Sequence, residues 1–342
     1  MTPHQPKGGT GEQGGTAEDR LIARYFRPLI THPGAFGLAD DAAVIAAPAG
    51  CDLVLTTDGV ICGVHFFPDD PAEAVAKKVL RVNLSDLAAK GAQPLGFVLA
   101  IALPRDLSEP WIAAFAKGLG EDAECYTCPL LGGDTDRTPG PISASVTAFG
   151  AVPHGTMVRR EGAKVGDAVV VSGTIGDAAL GLRLRQDPTR IAAWHLTEQQ
   201  RNRLIERYRL PQPRNTLAET LRRYASAAMD VSDGLAGDLA KLCHASQAST
   251  TVASAGVPLS GAARAVLAAD PALMETILTG GDDYEVVATV PYDRLAAFNA
   301  EAGKAGVAVT QVGRIEAGED GARFVDAKGS PMVFKQPSFS HF

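Results

Sequence analysis

Apolar and polar residues alternate along this chain with two different periods, and the changes of period lay out its elements. From Thr16 onward, Leu21, Ile22, Tyr25, Phe26, Leu29 and Ile30 recur at helical spacing. Thr16 is placed to cap that helix with Asp19 three residues on, and Pro28 would kink or end it. Two short strands are predicted between 42 and 57, AAVIAA (42–47) and DLVLTT (52–57), around a Pro-Ala-Gly turn. A long helix is predicted over 71–90. Pro71 opens it, Val75, Val79, Val82 and Leu87 share one side, and Gly91 stops it. GFVLAIALP (96–104) reads as a buried strand, 109–124 as a helix, and 129–134 and 142–150 as two more strands.

Periodicity then lapses over 150–167, a Gly-containing stretch that marks a domain boundary. Beyond it come a strand at 168–173, a turn into a helix over 173–184, and charged amphipathic helices over 197–209 and 216–225. MDVSDGLAGDLAKLCHAS (229–246) reads as a helix entered from a short extended segment, and 277–290 as strand, turn, strand. A helix over 293–305 and strands near 307–316 and 322–334 complete the pattern. Strands alternate with helices in both halves. The fold class is therefore α/β (α+β) in two domains, 16–150 and 151–342, behind a polar, Gly-rich tail at 1–15 read as disordered.

Composition narrows the function. A formal charge of −7 and no basic stripe longer than the Arg-rich 201–214 segment exclude a general nucleic-acid binder. The longest apolar run, Phe97–Leu103, falls far short of a membrane span, and the N-terminal stretch shows no apolar signal core. Five cysteines at irregular spacing read as reduced thiols. The cytoplasm is the default expectation on these features. Cys125 and Cys128 form a lone CxxC with no second pair, which reads as core or surface thiols.

The candidate chemistry is acidic. Asp40, Asp41, Asp58, Asp134, Asp282 and Asp283 sit at the ends of elements, several directly after apolar runs. Asp86 lies late in the 71–90 helix, with Asn83 and Lys90 on its face. Asp230 and Asp233 repeat the Ser-Asp echo of that helix in the second half. Each alone reads as a turn former or helix cap, with Asp230 placed to cap the following helix. Together, converging carboxylates would repel unless divalent cations lay between them. Many acids with few His or Cys partners favour Mg²⁺. There is no Walker A loop and no kinase HRD…DFG pattern. Gly173-Thr-Ile-Gly176 reads as a tight strand-to-helix connection.

Eight segments in order resemble the thiamine-monophosphate kinase family: GLADDAAVI, TTDGVICGVHF, VNLSDLAAKGAQP, LLGGDT, VRREGAKVGDAVVVSGTIGDAALGL, MDVSDGLAGDL, GGDDYE and the terminal SFSHF. The resemblance covers residue 17 to the end. It implies an aminoimidazole-ribonucleotide-synthetase-like fold of two mixed-sheet domains, the first one pairing across a homodimer. It further implies ATP as co-substrate, thiamine monophosphate as acceptor, several Mg²⁺ ions, and the last step of thiamine diphosphate synthesis. By that resemblance Mg²⁺ falls to Asp41, Thr56, Thr57, Asp58, Asp86, Asp134, Asp230 and Asp233, with Asp86, Asp134 and Asp230 catalytic. Nucleotide contacts fall to Gly133, Asp134, Arg160 and Ser232, and acceptor contacts to His65, Asp282 and Phe339. Asp282 stands where the family usually carries Glu, and Phe339 where it carries Trp or Tyr. The alternatives are another ATP-dependent synthetase of this superfamily, of the purine-biosynthesis type, or a non-catalytic thiamine-phosphate or nucleotide binder.

Overall fold

The computed structural model describes residues 16–340, so the 1–15 tail lies outside the described residues. Thr16 Oγ1 accepts from the Asp19 amide at 3.1 Å, and the Asp19 carboxylate accepts from the Thr16 amide at 2.7 Å, closing a capping box on helix α1 (Ala17–Leu21). The helix continues through a wide π turn (Ile22–Phe26) and ends in a tight turn containing Pro28.

The first sheet holds β1 (Cys51–Ile61), β2 (Gln93–Pro104), β3 (Leu130–Thr138) and β4 (Ser143–Pro153) in the order β1-β4-β2-β3. Its pairs are antiparallel except β2–β3, which is parallel. Parallel strands need a crossover, and the helix α3 (Glu109–Cys125) between them supplies it. The strand predicted at 42–47 does not form. The edge strand β1 takes β4 as its partner, and Val44 is left exposed in an irregular segment.

The second sheet holds β5 (Ala168–Ser172), β6 (Ala227–Val231), β7 (Ser249–Ala253), β8 (Glu285–Val290), β9 (Val309–Glu316) and β10 (Gly321–Val325) in the order β10-β7-β9-β5-β8-β6. Its helices are α4 (Asp177–Gln186), α5 (Arg190–Ala193), α6 (Glu198–Arg209), α7 (Ala218–Tyr224), α8 (Leu235–Ala245), α9 (Gly261–Ala269), α10 (Met274–Thr279) and α11 (Leu295–Lys304).

Three expectations are corrected here, and two elements not predicted are added. Residues 277–279, read as strand, end helix α10; short apolar runs do not distinguish the two, and Ile277 and Leu278 bury against α4 and α8. The last strand stops at Val325, where a turn closed by the Gly329 amide on the Asp326 carbonyl replaces it. Strand β7 and helix α9 went unread, because their small, weakly patterned residues carry little periodic signal. Asp230 does not cap α8: it lies within β6, and Gly234 occupies the cap position.

Helix α2 (Ala72–Ala89) joins the two halves. Thirteen of its eighteen residues are buried, so it is covered on every side. It packs on β1 and β4 along one side and on β6, β8 and α7 along another. Gly91 ends it at φ +72°, where an added Cβ would lie 2.5 Å from the Arg222 side chain. Among the described residues no helix is long and apolar enough to cross a membrane.

Candidate active site

The acid cluster forms where α2 is gripped between β1 and β6. Along β1, Val54, Thr56, Asp58 and Val60 share the face turned to α2, because alternate strand residues point the same way. Thr56 Oγ1 donates a short hydrogen bond to Asp86 Oδ2. Asn83, one helical turn before Asp86, accepts from the Asp58 amide at 2.9 Å and pins β1 to the helix. From the other side, Ser85 Oγ donates to Asp230 Oδ2 at 3.2 Å. Asp233 follows β6 and receives Lys241 Nζ at 2.6 Å. Thr57 turns away: its hydroxyl donates to the Val146 carbonyl at 3.1 Å on the opposite face.

This packing leaves negative charge poorly compensated. Burial, then the charges of Asp86 and Asp233, push the Asp58 carboxyl up to about 6. Burial also raises Asp230 well above the ordinary carboxylate range, helped by Asp86 and Asp238. Among the described residues no three His, Cys, Asp or Glu side chains form a closed metal cage. Mg²⁺ does not need one, since it takes one or two carboxylates and completes its shell with water and phosphate oxygens. The hard-oxygen donor set and the excess charge fit that ion.

A cavity of about 190 Å³ opens beside the cluster. His65, Asp282 and Phe339 all line it, together with Asp58, Ser232 and Asp233. His65 Nδ1 accepts from the Ile61 amide at 3.0 Å, so Nε2 carries the proton of the neutral ring. Phe339 arrives from the far end of the chain because its amide donates to the Asp233 carbonyl at 3.0 Å. Asp282 sits in a strained turn: its φ is +74° and that of Tyr284 is +49°. The turn is held by two hydrogen bonds of 2.8 Å, the Asp282 amide donating to the Ser232 carbonyl and the Tyr284 amide to the Val231 carbonyl. Between them, fully buried Asp283 accepts from the Gly176 amide at 2.7 Å.

Asp41, Gly133 and Asp134 lie elsewhere, lining a second cavity of about 560 Å³ with Glu18, Phe26 and Leu38. Gly133 is required there, because an added Cβ would stand 1.9 Å from the Leu99 carbonyl oxygen. Asp58 pairs with Val146, Val146 with Leu99, and Leu99 with Gly133. Three strand spacings therefore separate Asp58 from Gly133, about 14 Å along the sheet. Of the eight residues assigned to Mg²⁺, Thr56, Asp58, Asp86, Asp230 and Asp233 thus gather around α2, Asp41 and Asp134 line the second cavity, and Thr57 faces away from both. Ser232, assigned to the nucleotide, lines the smaller cavity, and Arg160 lines neither. Arg160 is exposed in the linker, close enough to Lys90 to help depress its pKa after burial has done most of that work.

Several residues of the site went unread in the sequence. Lys78 reaches Asp282 at 3.0 Å, Ser85 holds Asp230, and Lys241 bridges Asp233 and Asp238. Lys241 carried a faint signal, three residues after Asp238 on one helix. Lys78 carried none, since Lys77-Lys78 in an amphipathic helix reads as a solvated edge.

The fold and this site define a class. Residues 39–152 match the AIR synthase related protein N-terminal domain, and residues 164–326 match the corresponding C-terminal domain. The thiamine-monophosphate kinase of Caulobacter vibrioides is 43% identical over 302 residues, spanning 87% of this chain and 84% of its own. The crystal structure of thiamine-monophosphate kinase from Stenotrophomonas maltophilia K279a superposes with a TM-score of 0.78 at 38% identity, over 92% of this chain and 96% of that one. A structure described as AaThiL complexed with AMPPCP and TMP gives a TM-score of 0.75 at 31% identity, over 90% and 97% of the two chains. The chain belongs to the thiamine-monophosphate kinase family.

Proposed function

We propose that this protein transfers the γ-phosphoryl group of ATP to the phosphate of thiamine monophosphate, yielding thiamine diphosphate and ADP. The observation that carries this reading is the small cavity lined by His65, Asp282 and Phe339, which opens on carboxylates contributed by both domains. Both substrates are anions. The acceptor phosphate has its second pKa near about 6, so much of it is already a dianion at neutral pH and needs no strong base. The site accordingly has no obvious catalytic base. Its task is to position two phosphates in line and to offset their charge.

The chain's own residues divide that task. Asp58, Asp86, Asp230 and Asp233, with Thr56, would hold Mg²⁺, which supplies charge neutralisation at the phosphate oxygens when bound. Asp41, Gly133 and Asp134 would face the nucleotide in the larger cavity. Arg160, exposed in the linker, would offer a bidentate donor to an ATP phosphate. His65, Asp282 and Phe339 would seat the acceptor. Asp282 is a methylene shorter than glutamate, so its reach depends on the strained turn that presents it.

A homodimer through the first sheet belongs to the same reading. Leu53 and Leu55 stand 39% and 60% exposed on the outer face of edge strand β1, an apolar row that a second copy would cover. The cytoplasm, where ATP is available, is the proposed compartment.

The test is ADP release in a coupled assay with Mg²⁺-ATP and either thiamine monophosphate or thiamine. Turnover with the monophosphate alone is the expected result. ADP with neither acceptor would refute the assignment, and ADP with thiamine alone would replace it by a different kinase.

A further inference from the structure

Lys78 is an anomaly on α2. It is 2% exposed on a helix covered on every side, and a buried ammonium is costly unless it is paired. Its Nζ meets three groups. It lies 3.0 Å from Asp282 Oδ2, donates to the His65 carbonyl at 2.8 Å, and sits 4.0 Å from the centre of the Tyr208 ring. The Tyr208 hydroxyl donates to the same His65 carbonyl at 3.1 Å. His65 belongs to the loop after β1, whereas Asp282 and Tyr208 belong to the second sheet's layer. One side chain thus ties together two cavity walls from different halves of the chain.

The surroundings show why such a tie matters. The His65 loop has little regular structure and is anchored from across the interface, where Asp70 receives Arg209 at 2.6 Å and Arg185 at 3.2 Å. Asp282 is held at φ +74°, a conformation that does not by itself fix where its carboxylate points. Lys78 adds one constraint shared by both walls.

We propose that Lys78 is the positioning residue of the acceptor cavity: by pairing with Asp282 and bonding the His65 carbonyl, it sets the spacing between the walls that receive the acceptor. This rests on the reading of His65 and Asp282 as acceptor contacts. Lys78 is not among the residues that line the cavity, so its loss acts on acceptor binding through Asp282 and His65 and not on the nucleotide.

The experiment compares Lys78→Met, Asp282→Asn and the double variant in the full-length protein, measuring KM separately for thiamine monophosphate and for ATP. Lys78→Met should raise the acceptor KM about tenfold and leave the ATP KM within about twofold. If Lys78 acts through Asp282, the double variant should be no worse than the worse single one by more than about twofold. An unchanged acceptor KM in Lys78→Met, equal rises in both KM values, or multiplying effects would overturn the proposal. If Lys78→Met loses cooperative unfolding, Lys78→Gln, which removes the charge facing Asp282 but keeps a polar side chain at the buried position, carries the test with a rise of about two- to fivefold in acceptor KM, and no rise overturns it. An unchanged acceptor KM in Asp282→Asn would instead remove Asp282 from the acceptor reading and this inference with it.

Discussion

Glu285 opens strand β8 directly after the strained turn, and it is fully buried. It accepts from Arg207 Nη2 at 3.1 Å, from Arg214 Nε at 2.6 Å and from the Ser172 hydroxyl at 2.6 Å. Arg207 is itself 3% exposed, and its second donor bond, at 2.7 Å, goes to the carbonyl of Asp283 inside the turn. Glu285→Gln keeps the shape and removes the charge, leaving two guanidinium groups facing an amide. Breaking a buried pair from one side costs about 3–5 kcal/mol, because the remaining charge stays desolvated. At about 2–4 °C per kcal/mol, the midpoint of thermal unfolding should fall by roughly 6–20 °C. Urea unfolding followed by circular dichroism measures the same loss independently. Because Arg207 holds the turn as well as the strand, the folded variant should also show a raised acceptor KM. A loss below about 1 kcal/mol would refute the reasoning, since an exposed pair would give that much.

Asp86→Asn and Asp230→Asn should each lower turnover by about 100-fold with cooperative unfolding retained, checked by steady-state assay and thermal melt. For Asp58 the sign follows from its raised pKa of about 6. The folded state holds the proton more tightly than the unfolded one, so ionisation costs stability as pH rises from about 4 to 6, and the cost is complete above that window. Asp58→Asn should therefore stabilise the metal-free protein at pH 8 and much less at pH 4.5, by differential scanning calorimetry. Leu55→Glu should convert the proposed dimer to monomer, read by light scattering.

Much of this protein was legible in its sequence. Helix α2, the central strands and the opposed Ser-Asp segments follow from periodicity, punctuating Gly and Pro residues, and the spacing of acids. The helix called by Val75, Val79, Val82 and Leu87 lies at the junction of the two halves. Short segments were less legible, as 277–279 illustrates: three apolar residues satisfy a strand and a buried helix equally. The echo of VNLSDLA and MDVSDGLA acquired its meaning only in three dimensions. Asp86 rides a helix and Asp230 a strand, yet Ser85 of the first donates to Asp230 of the second.

What the sequence determined by itself was the inventory: which residues are acidic, which elements carry them, and the family they resemble. Only the tertiary structure decided which acids share a site. It gathers Asp58, Asp86, Asp230 and Asp233 around α2, holds Asp134 three strands away beside the cavity that Asp41 also lines, and buries Lys78 where its charge must find Asp282. The reason is physical. Periodicity encodes which face of an element is buried, but not what that face meets, and a carboxylate's pKa or a lysine's partner is set by the neighbour from across the fold.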